Sequence, residues 1–237
     1  MSGSSRGVTR QPDVVHTVAE PRAHVVLLHS MYSSPHEFDE LAEYLLGLGC
    51  NVICIGSPLR DLHWEHPAEV AVPTWYDYFT RRDGAADHDL INRRHLEHEC
   101  DRVVDKISSL PRPVFLGGVS QGATLVYHIL ASRNVELAGA MCARSTFMHT
   151  LVPDNTRVST RTNLLVFRGG ADEIYNVELQ SRALESLLAS AEINCCITEK
   201  AQLKHTNYSR LQLSSMRDFV ARHLEPEGHA RAPPTPA

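Results

Sequence analysis

Apolar and polar positions follow two different periods along this chain. Short unbroken apolar runs predict buried strands, because they are too short to form independent helices. Longer stretches place apolar residues three and four positions apart, which is typical of helices with one buried face. The strand runs are residues 14–18, 24–29, 51–55, 137–142, 163–167 and 193–198, with one more before Gly118, and the helical stretches are 38–48, 96–110, 121–132, 179–188 and 211–224.

The order of these runs predicts the fold class. Strands and helices alternate, which favours an α/β fold with a mostly parallel sheet and helices on both faces. Residues 56–89 contain three prolines and are expected to be mostly loop. Residues 1–12 and 225–237 are polar or proline-rich, so we expect disordered tails around one domain at residues 13–224. No internal repeat is visible.

Composition narrows the classes of function. The formal net charge is −5, and no stripe of basic residues is present, which argues against a nucleic-acid partner. The six cysteines form no C-x-x-C pair, so we expect free, reduced thiols. Neither a secretory signal nor an apolar run long enough to span a membrane is found. These features predict a cytoplasmic protein without stable membrane insertion.

The segment Gly118-Val119-Ser120-Gln121-Gly122 is the strongest chemical signal. It has the G-x-S-x-G pattern of a nucleophile elbow, a sharp turn from a strand into a helix that exposes a serine oxygen. Small residues are required on both sides of the serine, and Gly118 and Gly122 satisfy this. The pattern also occurs in ordinary turns, but the apolar run before it and the helical stretch after it favour Ser120 as a nucleophile.

An acid and a histidine that follow later strands would complete a catalytic triad. Asp172 follows the strand at 163–167, and His205 follows the strand at 193–198. The order Ser120, Asp172, His205 is that of the α/β-hydrolase fold. Other residues compete for both roles, because Asp154 and Glu173 are alternative acids and His149 is an alternative base.

The predicted chemistry also needs donors for a developing oxyanion. In an α/β-hydrolase these are the amide of the residue after the nucleophile and an amide after an early strand. The sequence therefore assigns the oxyanion hole to the amides of Gln121 and Met31. An ordinary strand end at Met31 is the alternative.

Two polar clusters and one tryptophan offer other chemistry. His95, His98 and Glu99 have spacing that could hold a metal, as does the group at residues 63–66, but such residues opposite an apolar stripe are usually a solvated face. We therefore expect no metal and no cofactor. Trp75 is a candidate for the substrate groove, although a tryptophan among prolines more often supports a loop from beneath, together with Asp77.

Five motifs, in their order along the chain, resemble those of the phospholipase/carboxylesterase family of α/β-hydrolases. This family includes acyl-protein thioesterases and lysophospholipases. These motifs fall within residues 14–224, which is nearly the whole folded part of the chain. The matching segments are Leu28-His29-Ser30-Met31, Ser57-Pro58-Leu59-Arg60 with Trp75-Tyr76-Asp77, Gly117-Gly118-Val119-Ser120-Gln121-Gly122, Gly170-Ala171-Asp172-Glu173 and Lys204-His205-Thr206.

The chain also departs from the family pattern. Ser30 replaces a glycine in the oxyanion loop, which reduces backbone freedom and is expected to shift the Met31 amide. Ala123 replaces the second glycine of a Gln-Gly-Gly motif. The insert at 63–66 has no counterpart and falls in the loop expected to border the substrate groove.

The resemblance implies a serine hydrolase that cleaves acyl thioesters or oxygen esters through an acyl-enzyme. Its expected substrate is an acylated protein, a lysolipid or a small ester. A carboxylesterase or lysophospholipase would use the same residues, and the substitution at Ser30 leaves a non-catalytic protein that binds an acyl-like ligand as a further alternative. The sequence does not predict an oligomeric state.

Overall fold

The fold is built around a parallel sheet. The computed structural model describes residues 9–62, 69–78, 91–147, 162–175, 177–190 and 192–224. The strands in this part of the chain are β1 (Val14–His16), β2 (Ala23–Leu28), β3 (Cys50–Ile55), β4 (Leu59–Leu62), β5 (Glu69–Pro73), β6 (Val114–Val119), β7 (Gly139–Ala143), β8 (Thr162–Gly169) and β9 (Ile193–Lys200). The main sheet has the order β1-β3-β2-β6-β7-β8-β9. All neighbours in it are parallel except β1, which is antiparallel to β3.

Helices cover both faces of this sheet. They are α1 (Asp39–Gly47), α2 (Arg93–Ser108), α3 (Gln121–Ser132), α4 (Val177–Ser190) and α5 (Arg210–Leu224), and a 3₁₀ helix at Pro35–Phe38 precedes α1. Because side chains alternate along a strand, β2 contributes Val26 to one core and Val25 to the other. The core that contains Val26 includes side chains of α2, α3 and α4, whereas the other core includes side chains of α1 and α5. This arrangement confirms the predicted fold class.

Helix α3 is buried along nearly its whole length. Residues 121–131 are buried on every side, and most of them are apolar, as expected for a helix inside the fold. It follows the central strand β6 directly, so its first residues lie at the carboxyl edge of the sheet. This edge is where open α/β sheets bind ligands.

The structure adds two strand pairings to what the sequence predicted for the first half of the chain. Strand β1 pairs with β3, because both edges of β2 are occupied by β3 and β6. Within residues 56–89, which were expected to be mostly loop, β4 and β5 form an antiparallel pair. Pro73 closes the end of this two-stranded sheet opposite Leu59, a position where a missing N–H is tolerated.

The last residues of the expected N-terminal tail contact the fold. Of the expected tail at residues 1–12, the structure describes residues 9–12, and these lie against the fold. The Gln11 amide donates to the Ser57 carbonyl oxygen at 3.0 Å, and Arg10 forms a 2.7 Å ion pair with Glu99. The expected tail at 225–237 lies outside the described residues.

All six cysteines are free, and four of them are buried. Burial raises the pKa of the Cys50 thiol to about 11 and that of Cys54 to about 12, so these thiols pack as apolar groups. Within the described helices, none is both long enough and apolar enough to cross a membrane.

Candidate active site

Ser120 occupies a strained turn between β6 and α3. Its backbone φ is 52° and its ψ is −122°, in a region that side-chain-bearing residues rarely adopt. A Cβ atom on Gly118 would lie 2.6 Å from the carbonyl carbon of Gly122, and one on Gly122 would lie 2.2 Å from the carbonyl oxygen of Leu28. Both glycines are therefore required for the close approach of α3 to β2 and β6.

The structure brings Ser120, His205 and Asp172 together. The hydroxyl oxygen of Ser120 lies 2.9 Å from Nε2 of His205, and Nδ1 of the same ring lies 2.9 Å from Oδ2 of Asp172. The three residues are at most 8 % exposed. They follow β6, β9 and β8, so the parallel sheet brings them to one edge although up to 85 positions separate them.

Backbone groups fix the carboxylate of Asp172. Its Oδ1 accepts hydrogen bonds from the amides of Ile174 at 2.9 Å and Tyr175 at 2.8 Å, which leaves Oδ2 for the imidazole. The Tyr175 ring packs against the His205 ring with centroids 5.4 Å apart. These contacts restrain the orientation of both Asp172 and His205.

The rival residues do not take these positions in the described part of the chain. Glu173 accepts a hydrogen bond from the backbone amide of His205 at 3.2 Å, not from its ring. This bond is the largest cause that lowers the pKa of Glu173. Asp154 and His149 lie outside the described residues.

The two residues predicted to supply the oxyanion hole both line one cleft. Its volume is about 110 Å³, and Met31 and Gln121 lie in its wall together with Ser120 and His205. Gln121 is the first residue of α3, so its amide has no acceptor inside the helix. The remaining wall residues are Ser30, Tyr32, Tyr78, Ile174 and Tyr175.

The loop that carries Met31 is held by a buried histidine. Nδ1 of His29 lies 2.7 Å from the carbonyl oxygen of Ser30, and Nε2 lies 3.3 Å from the amide of Ser57. Together these contacts fit a neutral ring that donates from Nδ1 and accepts at Nε2. Burial lowers the pKa of His29, which favours this neutral form.

Trp75 does not line the substrate groove in this structure, which corrects that candidate assignment. The side chain is fully buried, and its Nε1 donates to the carbonyl oxygen of His29 at 2.7 Å. A fully buried indole cannot touch a substrate at the surface of the cleft. Trp75 instead supports the end of β2 from beneath.

The side chain of Gln121 has a role that the sequence analysis missed. Its Oε1 accepts hydrogen bonds from the Trp75 amide at 2.8 Å and the Thr74 hydroxyl at 3.0 Å, and its Nε2 donates to the Tyr76 carbonyl at 2.9 Å. These bonds tie residues 74–76 to the start of α3. A buried glutamine at the first position of an apolar helix was the available signal.

Arg144 was also missed. It is 9 % exposed, directly follows β7, and donates through Nη1 to the carbonyl oxygens of His205 and, at 3.2 Å, Asn207. Burial lowers the pKa of Arg144, and the carboxylates of Glu37 and Asp172 oppose that effect. A charged residue immediately after a buried strand was the signal in the sequence.

In the cluster on α2, Glu99 lies in a set of buried ion pairs, whereas the side chain of His98 is exposed to solvent. Glu99 is fully buried, and its carboxylate accepts hydrogen bonds from Arg10 at 2.7 and 2.8 Å and from Arg102 at 2.9 Å. Arg60 lies 3.5 Å from it. Within the described ranges no group of three or more His, Cys, Asp or Glu residues could hold a metal. The group at 63–66 lies outside those ranges.

Comparison with solved structures shows the same fold in other proteins. Acyl-protein thioesterase 2 of Zea mays superposes with a TM-score of 0.73 and 16% identity, over 90% of this chain and 99% of that chain. The Bacillus cereus carboxylesterase superposes with a TM-score of 0.65 and 13% identity, over 89% of this chain and 93% of that chain. For SOBER1 of Arabidopsis thaliana the TM-score is 0.69 at 16% identity, over 86% and 99% of the two chains.

A search of curated protein sequences finds no match to this chain. A family model described as Phospholipase/Carboxylesterase, however, matches residues 9–224. The match includes every residue of the site described above and nearly all of the chain. It confirms the resemblance, the α/β-hydrolase fold and the hydrolase class that the sequence indicated. The chain therefore belongs to the phospholipase/carboxylesterase family.

Proposed function

We propose that this chain is a serine hydrolase that cleaves acyl thioesters or oxygen esters through an acyl-enzyme intermediate. In this proposal Ser120 is the nucleophile, His205 is the general base and acid, and Asp172 orients the imidazole. The observation that carries it is the continuous pair of 2.9 Å contacts from the Ser120 hydroxyl to the imidazole and from the imidazole to the Asp172 carboxylate.

The acylation step follows from these contacts. The Ser120 hydroxyl attacks the substrate carbonyl while Nε2 of His205 takes its proton. The carbonyl oxygen becomes negative and accepts hydrogen bonds from the Met31 and Gln121 amides. The tetrahedral intermediate then collapses, the bond to the thiol or alcohol breaks, and His205 returns its proton to that leaving group.

Deacylation repeats the same sequence with water. His205 takes a proton from a water molecule as that molecule attacks the acyl-enzyme, and the proton is then returned to Ser120. Asp172 stabilises the imidazolium in both halves of the reaction. Because its Oδ1 is already occupied by the two backbone amides, Oδ2 keeps a fixed direction toward Nδ1.

We place acyl thioesters first among the substrates and keep short oxygen esters and lysolipids as the second candidate. The similar solved structures include both an acyl-protein thioesterase and a carboxylesterase. The contacts of Ser120 also count against the non-catalytic alternative, because a binding protein has no need of an ordered triad. Free cysteines fit a reducing compartment, so the proposal places the protein in the cytoplasm. It also includes a single domain at residues 13–224.

Variants of the triad test the mechanism. Ser120→Ala is expected to reduce turnover below detection and to abolish covalent labelling by a fluorophosphonate. Asp172→Asn is expected to lower kcat by about 10⁴ with the fold intact, because the imidazole then takes the wrong tautomer. Ser109→Ala, in an exposed residue at the end of α2, serves as the control and should keep full activity. Full activity in either triad variant would refute the proposal.

Three substrates separate the two candidate activities. kcat/KM is measured on an S-acyl peptide, a lysolipid and a short aryl ester under the same conditions. A preference for the S-acyl peptide supports the thioesterase assignment, whereas a preference for either oxygen ester supports the second candidate. Absence of turnover on all three, together with absence of fluorophosphonate labelling, would support the binding protein instead.

A further inference from the structure

Hydrogen bonds hold the backbone amide, the hydroxyl and the carbonyl oxygen of Ser30 in the predicted oxyanion loop. Glu37 accepts two hydrogen bonds from this residue, one from the backbone amide to Oε2 at 2.7 Å and one from the hydroxyl to Oε1 at 2.8 Å. The carbonyl oxygen of Ser30 accepts a bond from Nδ1 of His29 at 2.7 Å. All the polar groups of Ser30 are therefore occupied.

These bonds determine the direction of the Met31 amide. The Ser30 carbonyl and the Met31 N–H belong to one planar peptide group and point in opposite directions. Fixing the carbonyl and the preceding amide leaves the plane little freedom to rotate. Because Met31 lines the cleft beside Ser120, the contacts of Ser30 decide where one predicted oxyanion donor points.

The carboxylate that holds Ser30 comes from a rigid element. Glu37 lies in the 3₁₀ helix Pro35–Phe38, and both ends of that helix are buried, with Phe38 only 2 % exposed. The Ser30 hydroxyl adds a second bond that a glycine at the same position could not make. Ser30 has less backbone freedom than the family's glycine, but its hydroxyl supplies a contact that holds the loop in place.

We propose that Glu37 and Ser30 are positioning residues that aim the Met31 amide at the developing oxyanion. This inference rests on the proposed function. Neither side chain touches the reacting atoms, and both act through the Ser30–Met31 peptide group. A misdirected donor weakens stabilisation of the transition state more than binding of the substrate, because the negative charge develops only during the reaction.

Two substitutions at one position separate hydrogen bonding from negative charge. In Glu37→Gln the amide oxygen still accepts from the Ser30 N–H, and the NH₂ group donates to the Ser30 hydroxyl, which rotates to become an acceptor. Glu37→Met has a similar length but accepts neither hydrogen bond. We expect Glu37→Met to lower kcat by about 30-fold or more with KM within about twofold, and Glu37→Gln to recover most of that loss.

Ser30→Gly tests the hydroxyl separately. It removes the bond to Oε1 and keeps the amide bond to Oε2, so a smaller loss of about threefold to tenfold in kcat is expected. Introduced into Glu37→Met, the same change should cost little more, because the partner of the hydroxyl is already absent. Such non-additivity is expected of residues that act through one contact. Glu43→Met, in an exposed residue of α1, is the matched control.

Binding of two ligands distinguishes misdirected catalysis from general damage. An alkyl trifluoromethyl ketone adds to Ser120 and places an oxyanion in the site, whereas the primary alcohol with the same alkyl chain is neutral and forms no adduct. Glu37→Met should weaken the ketone by about the same factor as kcat and leave the affinity for the alcohol within about twofold. Equal weakening of both ligands, or unchanged kcat in Glu37→Met, would overturn the inference. If either result is found and Ser120→Ala is inactive, the role of Glu37 and Ser30 is refuted but the proposed function is not.

Discussion

The strained backbone of Ser120 is possible because Gly118 and Gly122 carry no side chains. The left-handed conformation lifts the hydroxyl toward His205, but it also brings α3 against the end of β2. No side chain fits between them at Gly122, where a Cβ atom would lie 2.2 Å from a carbonyl oxygen that belongs to the sheet. The backbone itself would have to move to accept even a methyl group.

Gly122→Ala should therefore destabilise the fold and displace Ser120. We expect a loss of about 2–3 kcal/mol in the free energy of unfolding, measured by urea denaturation, together with a large fall in kcat. Gly47→Ala in α1 is the control, because nothing lies within 4 Å of a Cβ atom there and alanine favours a helix. Equal stability of the two variants would contradict this account of the elbow.

The residues that could be predicted from the sequence differ in kind from those that could not. The convergence of Ser120, Asp172 and His205 was predictable because a short motif and the order of the strands point to these residues. The roles of Glu37 and Arg144 were not, because each acts on the backbone of a residue from another segment. Sequence patterns report periodicity and local turns, but not which carbonyl or amide a distant side chain will meet.

At the scale of elements, α2 is joined to the rest of the fold by a buried carboxylate. Glu99 is 0 % exposed and holds arginines from three segments: the chain before β1, strand β4 and α2 itself. Burial alone would raise the pKa of Glu99, but the hydrogen bond from Arg10 and the charge of Arg102 are among the interactions that lower it overall. The carboxylate thus stays ionised in the core.

Glu99→Gln should leave these arginines without a matching charge. We expect a loss of about 3 kcal/mol in the free energy of unfolding at pH 7, measured by urea denaturation. The loss should shrink as the pH falls below about 4.5, the ordinary pKa of a glutamate. In that range the unfolded chain binds a proton at this position before the folded chain does, so the stability of the wild type falls toward that of the variant. A difference in the free energy of unfolding that stays constant down to pH 3 would contradict the conclusion that Glu99 is ionised in the core.

Glu97 on the same helix is the matched control. Its side chain is 43% exposed and bonds to His128 at 2.9 Å and to Arg133. The hydrogen bond from His128 is the largest cause that lowers the pKa of Glu97, to about 2. Solvent screens such a pair, so Glu97→Gln should cost only about 1 kcal/mol at pH 7.

Helices and strands could be predicted from the sequence where no conflicting signal, such as a proline, lay in the same segment. Helix α3 begins and ends at the predicted residues because the elbow fixes its start and neither a proline nor a further glycine interrupts it. The pair of β4 and β5 was not predicted, because prolines that usually mark loops lie beside it and within its end. The partner of β1 could not be predicted either, since pairing depends on which strand edges remain free.

At the scale of the whole molecule, the site depends on contacts between segments that are far apart in sequence. Ser120 follows β6 and His205 follows β9, with two strands between them in the sheet. Arg144 links these segments, because it follows β7 beside the elbow and holds the carbonyl oxygens of His205 and Asn207. The sheet sets the approximate distance, and this side chain fixes the loop that carries the imidazole.

Removing that link should loosen the histidine loop without unfolding the protein. In Arg144→Met we expect faster amide hydrogen exchange at residues 203–209 and a kcat lowered by about tenfold or more, since a small misplacement of a catalytic group has large effects on rate. Arg168→Met is the control, because Arg168 is a buried arginine of β8 that bonds to Ser181 of α4 at 3.0 Å. Its loss should lower stability without changing exchange at 203–209. If both variants changed that exchange equally, Arg144 would be an ordinary stabilising contact and not the element that holds His205 against Ser120.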